Sequence, residues 1–189
     1  MQALTGNQAA AAAVRAARKA PVWASGGVWL ALLLLALVLG GCATRGGGTG
    51  TSSMPALRLD PAGREAVVAQ AMMLVNTPYT YGGNTPRGGF DCSGLVQYAV
   101  ASGAAGGQSL PRSTAQWAAV STPVQSGRMQ RGDLVFFNTS GRTYSHMGIY
   151  VGGGQFVHAP SSGGTVRKDS MNSPYYAQRF VGARTVFKK

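Results

Sequence analysis

The chain has 189 residues, a formal net charge of +12 and a hydrophobic fraction of 45%. This hydrophobic fraction excludes a wholly disordered chain, and a total of two cysteines excludes both a disulfide-dense scaffold and a four-cysteine zinc site. The positive charge leaves three interpretations open: binding to nucleic acid, binding to an anionic envelope surface, or a generally basic proteome.

The first element is an apolar run from Val28 to Leu39, which reads VWLALLLLALVL. A membrane-spanning helix needs about 20 such residues, whereas the apolar region of a signal peptide needs roughly 7–15 after a positively charged start. Three bases precede the run, and small residues follow it up to Cys42. The run therefore predicts an export signal.

The segment Leu39-Gly40-Gly41-Cys42 resembles the bacterial lipobox. This resemblance implies that Cys42 is lipidated and becomes the mature N-terminus, and Ala43 after it implies sorting to the outer membrane, facing the periplasm. The alternatives are an uncleaved anchor, or an ordinary signal peptide in which Cys42 has no role. We therefore predict a signal peptide over residues 1–41, a lipidated flexible Gly/Ser/Thr-rich linker over 42–55 and one folded domain over 56–189.

The folded part begins with helices and ends with strands. Asp60-Pro61 and Asp91 are typical N-terminal caps, each followed by apolar residues at helical spacing, and Cys92 falls in the first turn of the second helix. The remaining predicted elements are a short helix over 113–120 and strands over 133–137, 146–151, 155–158 and 179–187. This order predicts an α+β domain with an antiparallel sheet.

Once Cys42 carries lipid, Cys92 is the one remaining thiol, and His146 and His158 are the only two histidines. A lone cysteine is more often buried and inert, but a thiol at a helix N-terminus faces backbone N–H groups that favour the thiolate and can stabilise an oxyanion. Tyr81, in the loop before the helix, is a candidate phenolic donor. Three soft ligands nominally suit zinc, but a nucleophile and base explain them better, so we expect no metal and no cofactor.

The histidines are placed by the arithmetic of a predicted hairpin. A three-residue loop, Gly152–Gly154, pairs Val151 with Gln155 and puts His146 and His158 on one face as diagonal neighbours. A two-residue loop puts them on opposite faces. By the general logic of catalytic triads, Cys92 then attacks a carbonyl, His146 accepts its proton and His158 orients His146.

The segments PYTYGG, FDCSGLVQY, SHMGIYVG and QFVHAP resemble the NlpC/P60 family of peptidoglycan cysteine peptidases, in the family's order Cys, His, His. The resemblance covers nearly all of residues 65–187 and implies a papain-like core with the cysteine helix packed on the sheet. It implies the triad Cys92, His146 and His158. It further implies a substrate groove lined by four residues: Tyr81, Asp91, Ser93 and Ser145.

The family implies cleavage of stem peptides or cross-links of peptidoglycan next to meso-diaminopimelate. The γ-D-glutamyl–diaminopimelate and D-alanyl–diaminopimelate bonds remain open. The alternatives are a non-catalytic peptidoglycan-binding lipoprotein on the same fold and a nucleic-acid-binding protein, and the scattered arginines and the export signal count against the latter. We expect a monomer on a lipid anchor. Its side-chain charge without residues 1–41 is +9, which favours an anionic envelope partner.

Overall fold

A computed structural model describes residues 54–162 and 164–189, so Cys42, the predicted signal peptide and nearly all of the linker lie outside the described residues. The helices are α1 (Arg64–Met73), α2 (Cys92–Gly103), α3 (Thr114–Val120) and α4 (Pro174–Ala177). The strands are β1 (Asn84–Thr85), β2 (Gly89–Phe90), β3 (Thr122–Val124), β4 (Leu134–Phe137), β5 (His146–Gly152), β6 (Gln155–His158), β7 (Arg167–Ser170) and β8 (Phe180–Thr185). Within the described ranges, no helix is both long enough and apolar enough to cross a bilayer.

The larger sheet is antiparallel and has six strands in the order β3-β8-β4-β5-β6-β7. The predicted α+β fold with an antiparallel sheet is confirmed. The small β1–β2 ladder in the glycine-rich loop, strands β3 and β7 and helix α4 were not predicted. Strand β7 has the sequence Arg-Lys-Asp-Ser and is only half buried on alternate residues, so it has no apolar run that predicts a strand.

Local sequence explains where the helices begin. The side chain of Asp60 accepts a hydrogen bond from the N–H of Ala62 (2.9 Å) and caps a 3₁₀ turn that leads into α1. Helix α3 begins with a capping box, in which Ser113 and Gln116 each accept a hydrogen bond from the other's backbone N–H.

The centre of the sheet is covered on both faces. All four residues of β4 are buried: Leu134 and Phe136 pack with α1 and α2, whereas Val135 and Phe137 pack with Tyr176 of α4. This two-sided burial makes β4 and its neighbour β5 a rigid support for the side chains at their ends.

An ion pair with a buried carboxylate ties the turn before β4 to the start of α1. Asp133 is 1% exposed, accepts from the backbone N–H of Gln130 (2.8 Å) and pairs with Arg64 (2.7 Å). Its carboxylate thus closes a turn and bridges two elements.

Candidate active site

Asp91 fixes the start of α2. One carboxylate oxygen accepts from the backbone N–H of Gly94 (2.6 Å) and from the Ser93 hydroxyl (3.0 Å), and Arg112 binds both oxygens at 3.0 and 2.8 Å. Burial acts to raise the pKa of Asp91, but the hydrogen bonds from Arg112, Gly94 and Ser93 outweigh it and hold this pKa below its usual value. A Cβ on Gly94 would lie 2.0 Å from the carbonyl oxygen of Gly83, so α2 abuts the glycine-rich loop.

Cys92 is the first residue of α2, as predicted. Burial, together with the carboxylate of Asp91, raises the pKa of its thiol to about 11, although the N–H groups of Met147, Ser93 and Cys92 itself act in the opposite direction. The sequence predicted that the helix N-terminus favours the thiolate, but burial and Asp91 outweigh this effect. At neutral pH the thiol is therefore protonated, and attack needs a base.

The sulfur lies close to the backbone N–H of Met147, the second residue of β5, which acts on the thiol and directly follows His146 in the chain. Within the described residues, Cys92 makes no hydrogen bond to an imidazole. The N–H groups of Cys92 and Ser93 donate to no described oxygen, which leaves them available to an oxyanion.

The hairpin differs from its prediction in one detail. Gly152 pairs with Gln155, so the turn itself is the two residues Gly153 and Gly154, and the expected three-residue loop is wrong. A bulge between Tyr150 and Gly152 adds a residue to β5 and pairs Tyr150 with Phe156, which is the register that the longer loop predicted.

The two imidazoles consequently share a face and contact each other. Nε2 of His146 lies 2.8 Å from Nδ1 of His158, and His158 is completely buried. Burial and the neighbouring His158 lower the pKa of His146 to about 3, and burial lowers the pKa of His158 to about 4. Both rings are neutral at neutral pH, and each then has one nitrogen that accepts a proton.

A fourth residue, which the sequence did not reveal, extends this chain of contacts. Nε2 of His158 lies 2.9 Å from Oδ2 of Asp169 on β7, and the same oxygen accepts from Nε of Arg167 at 2.9 Å. Burial acts to raise the pKa of Asp169, but the hydrogen bonds from Arg167 and His158 lower it overall. Asp169 is therefore an ionised carboxylate.

Tyr79 is another residue that the sequence reasoning missed, and it lies near enough to Cys92 and Asp91 for their charges to act on its hydroxyl. Burial raises the pKa of Tyr79, and the neighbouring Cys92 and Asp91 raise it further. Tyr81 is 91% exposed, and its hydroxyl has no partner in the described residues. The motif PYTYGG contains both tyrosines, so it alone does not show which one faces the nucleophile.

Two predicted groove residues have their hydroxyls in internal hydrogen bonds. Ser93 donates to Asp91 and accepts from Arg112, and Ser145 accepts from the backbone N–H of Thr139 (2.8 Å). The structure thus places Ser93 in the support beneath the thiol and Ser145 in the loop before β5. Their predicted contacts with substrate stay predictions.

In residues 54–162 and 164–189, no group of three or more His, Cys, Asp or Glu side chains is arranged to hold a metal ion. A cavity of about 620 Å³ lies between β3 and the C-terminal residues and is lined by Arg64, Arg128 and Lys188 among others. None of the predicted site residues lines this cavity.

Comparisons with known proteins identify the family to which the chain belongs. The profile of the NlpC/P60 family matches residues 76–185. The chain is 39% identical over 118 residues to murein DD-endopeptidase MepH of Escherichia coli, covering 61% of this chain and 43% of that protein. It is 35% identical over 125 residues to a γ-DL-glutamyl hydrolase of Bacillus subtilis, covering 65% of this chain and 30% of that protein.

A crystal structure of a Staphylococcus aureus protein, described as similar to lipoprotein and of the NLP/P60 family, superposes with a TM-score of 0.60. The two are 29% identical, and the superposition covers 75% of this chain and 46% of that one. The aligned part of the chain thus spans less than half the length of each of these relatives.

Proposed function

Because the chain belongs to the NlpC/P60 family, we propose that it is a cysteine-type endopeptidase that cleaves peptide bonds of peptidoglycan next to meso-diaminopimelate. The observation that carries this proposal is the site itself. A protonated thiol at the start of α2 lies beside the strand that begins with His146, and His146 is hydrogen-bonded to His158. This is the arrangement of a nucleophile, a base and an orienting group.

In the proposed reaction, Sγ of Cys92 attacks the carbonyl carbon as its proton passes to Nδ1 of His146, the ring nitrogen that does not contact His158. The carbonyl electron pair moves onto oxygen, which the N–H groups of Cys92 and Ser93 stabilise. When the tetrahedral intermediate collapses, the C–N bond breaks and His146 returns the proton to the leaving amine.

The resulting thioester is hydrolysed by the same groups. Water attacks the thioester carbon while its proton passes to His146, the C–S bond breaks, and the departing sulfur takes the proton back. Formation of the thioester and its hydrolysis each begin with a neutral imidazole, which agrees with the lowered pKa values of His146 and His158.

The test is incubation of the purified protein with muropeptides and identification of the products by mass spectrometry. We expect new amino termini at diaminopimelate, with no turnover by Cys92→Ala. Turnover that survives this substitution refutes the mechanism. Binding of intact muropeptides without cleavage supports the alternative, a non-catalytic peptidoglycan-binding protein. The products also show which bond is cut, γ-D-glutamyl–diaminopimelate or D-alanyl–diaminopimelate.

We also propose that the protein is a lipoprotein anchored through Cys42 and retained at the outer membrane. This proposal is supported by the apolar run that ends at Leu39, by the two glycines between it and Cys42, and by the glycine-rich linker after Cys42. Metabolic labelling with a fatty-acid probe should label the intact chain but not Cys42→Ser. Acylation that persists in Cys42→Ser refutes the anchor.

A further inference from the structure

The triad of Cys92, His146 and His158 gives no role to Asp169, although this residue of β7 contacts His158. We propose that Asp169 is a positioning residue, which holds both imidazoles in the one tautomer that lets His146 act as a base. This inference rests on the proposed function, since it concerns the same site.

The tautomers follow from Asp169 step by step. An ionised carboxylate only accepts hydrogen bonds, so Nε2 of His158 carries the proton in the 2.9 Å contact with Oδ2. In a neutral imidazole the other nitrogen is then an acceptor, so Nδ1 of His158 accepts from Nε2–H of His146 across 2.8 Å. Nδ1 of His146 is left with a free lone pair, which is the form that accepts the thiol proton.

The register of the sheet makes this arrangement stiff. His158 pairs directly with Arg167, and Asp169 is two residues further along β7 on the same face. The rings of Phe156 and Tyr176 pack against the His158 ring at centroid distances of 4.6 and 5.3 Å. Asp169 thus meets an imidazole that has little freedom to turn.

The charges around the histidine pair also support a positioning role for Asp169. The charged and titratable groups around His158 are His146 on β5, Arg167 and Asp169 on β7, and Tyr176 on α4. Asp169 favours a positive charge on the histidine pair, whereas Arg167 opposes one. When His146 takes the thiol proton, Asp169 stabilises the new charge through His158. A carboxylate that served the fold alone would have no such effect on the reaction.

The test compares Asp169→Asn with Asp169→Glu in the full chain. A directly neighbouring opposite charge shifts a pKa by about 1–3, which is a factor of about 10 to 1000. Because Asp169 reaches His146 only through His158, we expect the lower part of this range, with kcat roughly 10- to 100-fold lower in Asp169→Asn and KM unchanged. Asp169→Glu retains an ionised acceptor and should recover part of kcat. In the double variant Asp169→Asn/Arg167→Gln, kcat should exceed that of Asp169→Asn, because the uncompensated guanidinium is gone.

The second readout is independent of activity. The chain has only two histidines, so labelling with ¹⁵N-histidine and long-range ¹H–¹⁵N correlation reports both tautomers separately. We expect protonated Nε2 at both rings in the wild-type protein and loss of this single state in Asp169→Asn. The matched control is Asp133→Asn, a buried carboxylate also paired with an arginine, which should lose stability while keeping tautomers and kcat.

The outcomes test the role of Asp169 and the endopeptidase proposal separately. Wild-type rings protonated at Nδ1, or tautomers and kcat unchanged in folded Asp169→Asn, overturn the role of Asp169. Equal losses in Asp169→Asn and Asp133→Asn also overturn it, since they indicate a purely structural effect. The expected tautomers in a wild-type protein that cleaves no muropeptide refute the endopeptidase proposal and leave the tautomer assignment standing.

Discussion

The resting state of the nucleophile leads to the sharpest prediction. Burial and the nearby Asp91 carboxylate raise the pKa of Cys92 from its ordinary value of 9.0 to about 11. A shift of two units lowers the thiolate fraction at neutral pH about 100-fold, from roughly one molecule in 10² to one in 10⁴. Cys92 should therefore react slowly with alkylating agents in the absence of substrate.

The assay is the rate of iodoacetamide alkylation in Cys42→Ser, where Cys92 is the only cysteine, followed by mass spectrometry across a pH series. We expect the rate in the folded protein to keep rising with pH past the ordinary thiol range. The same chain unfolded in urea serves as the control and should titrate near the ordinary value.

A second variant separates a neutral thiol from a thiolate–imidazolium pair. If the thiol is neutral at rest, His146→Ala leaves the alkylation profile nearly unchanged. A folded-state inflection below the ordinary thiol pKa that disappears in His146→Ala would show a preformed ion pair, and it would refute our account of burial.

Three further predictions concern stability. Arg64→Ala leaves the buried Asp133 carboxylate unpaired and should lower the free energy of unfolding by about 3–5 kcal/mol, measured by urea titration; a loss below about 1 kcal/mol would contradict this. Gly148→Ala places a Cβ 3.0 Å from Cβ of His158 and even nearer to other β6 atoms, so it should cost about 1–3 kcal/mol and reduce kcat, while wild-type values would refute the close packing. The unfolded chain binds protons at His146 and His158 near pH 6.5, but the folded chain does so only near pH 3 and pH 4, so the melting temperature should fall as pH drops from 6.5 toward 4. Above pH 6.5 these groups should contribute no pH dependence, and a double His→Gln variant should show a shallower acid slope.

Much of the site could be predicted because its determinants are local. Asp91 is a cap, and the apolar residues after it repeat at helical spacing, so the position of Cys92 at a helix start follows from about ten residues. The strands that carry His146 and His158 are likewise apolar runs on either side of three glycines.

The rest depends on contacts between distant segments. The hairpin has the predicted register because of a bulge in β5 and not because of a longer loop. The same sequence is compatible with both arrangements, so it does not distinguish them. Asp169 lies on a polar strand that is recognisable only from its pairing with β6, and the loop between these strands does not fix the register. The two tyrosines of the motif, Tyr79 and Tyr81, are distinguished only by their burial in the fold, which the sequence does not show.

The two ends of the described domain lie side by side. The N–H of Leu59 donates to the carbonyl of Val186 (2.8 Å), and the N–H of Lys188 donates to the carbonyl of Leu59 (2.9 Å). Tension applied through the segment before Leu57 therefore passes into the continuation of β8, two strands away from β5 and three from β6. Immobilising the protein through either flank should load the same corner of the sheet and leave the spacing of the histidines undisturbed.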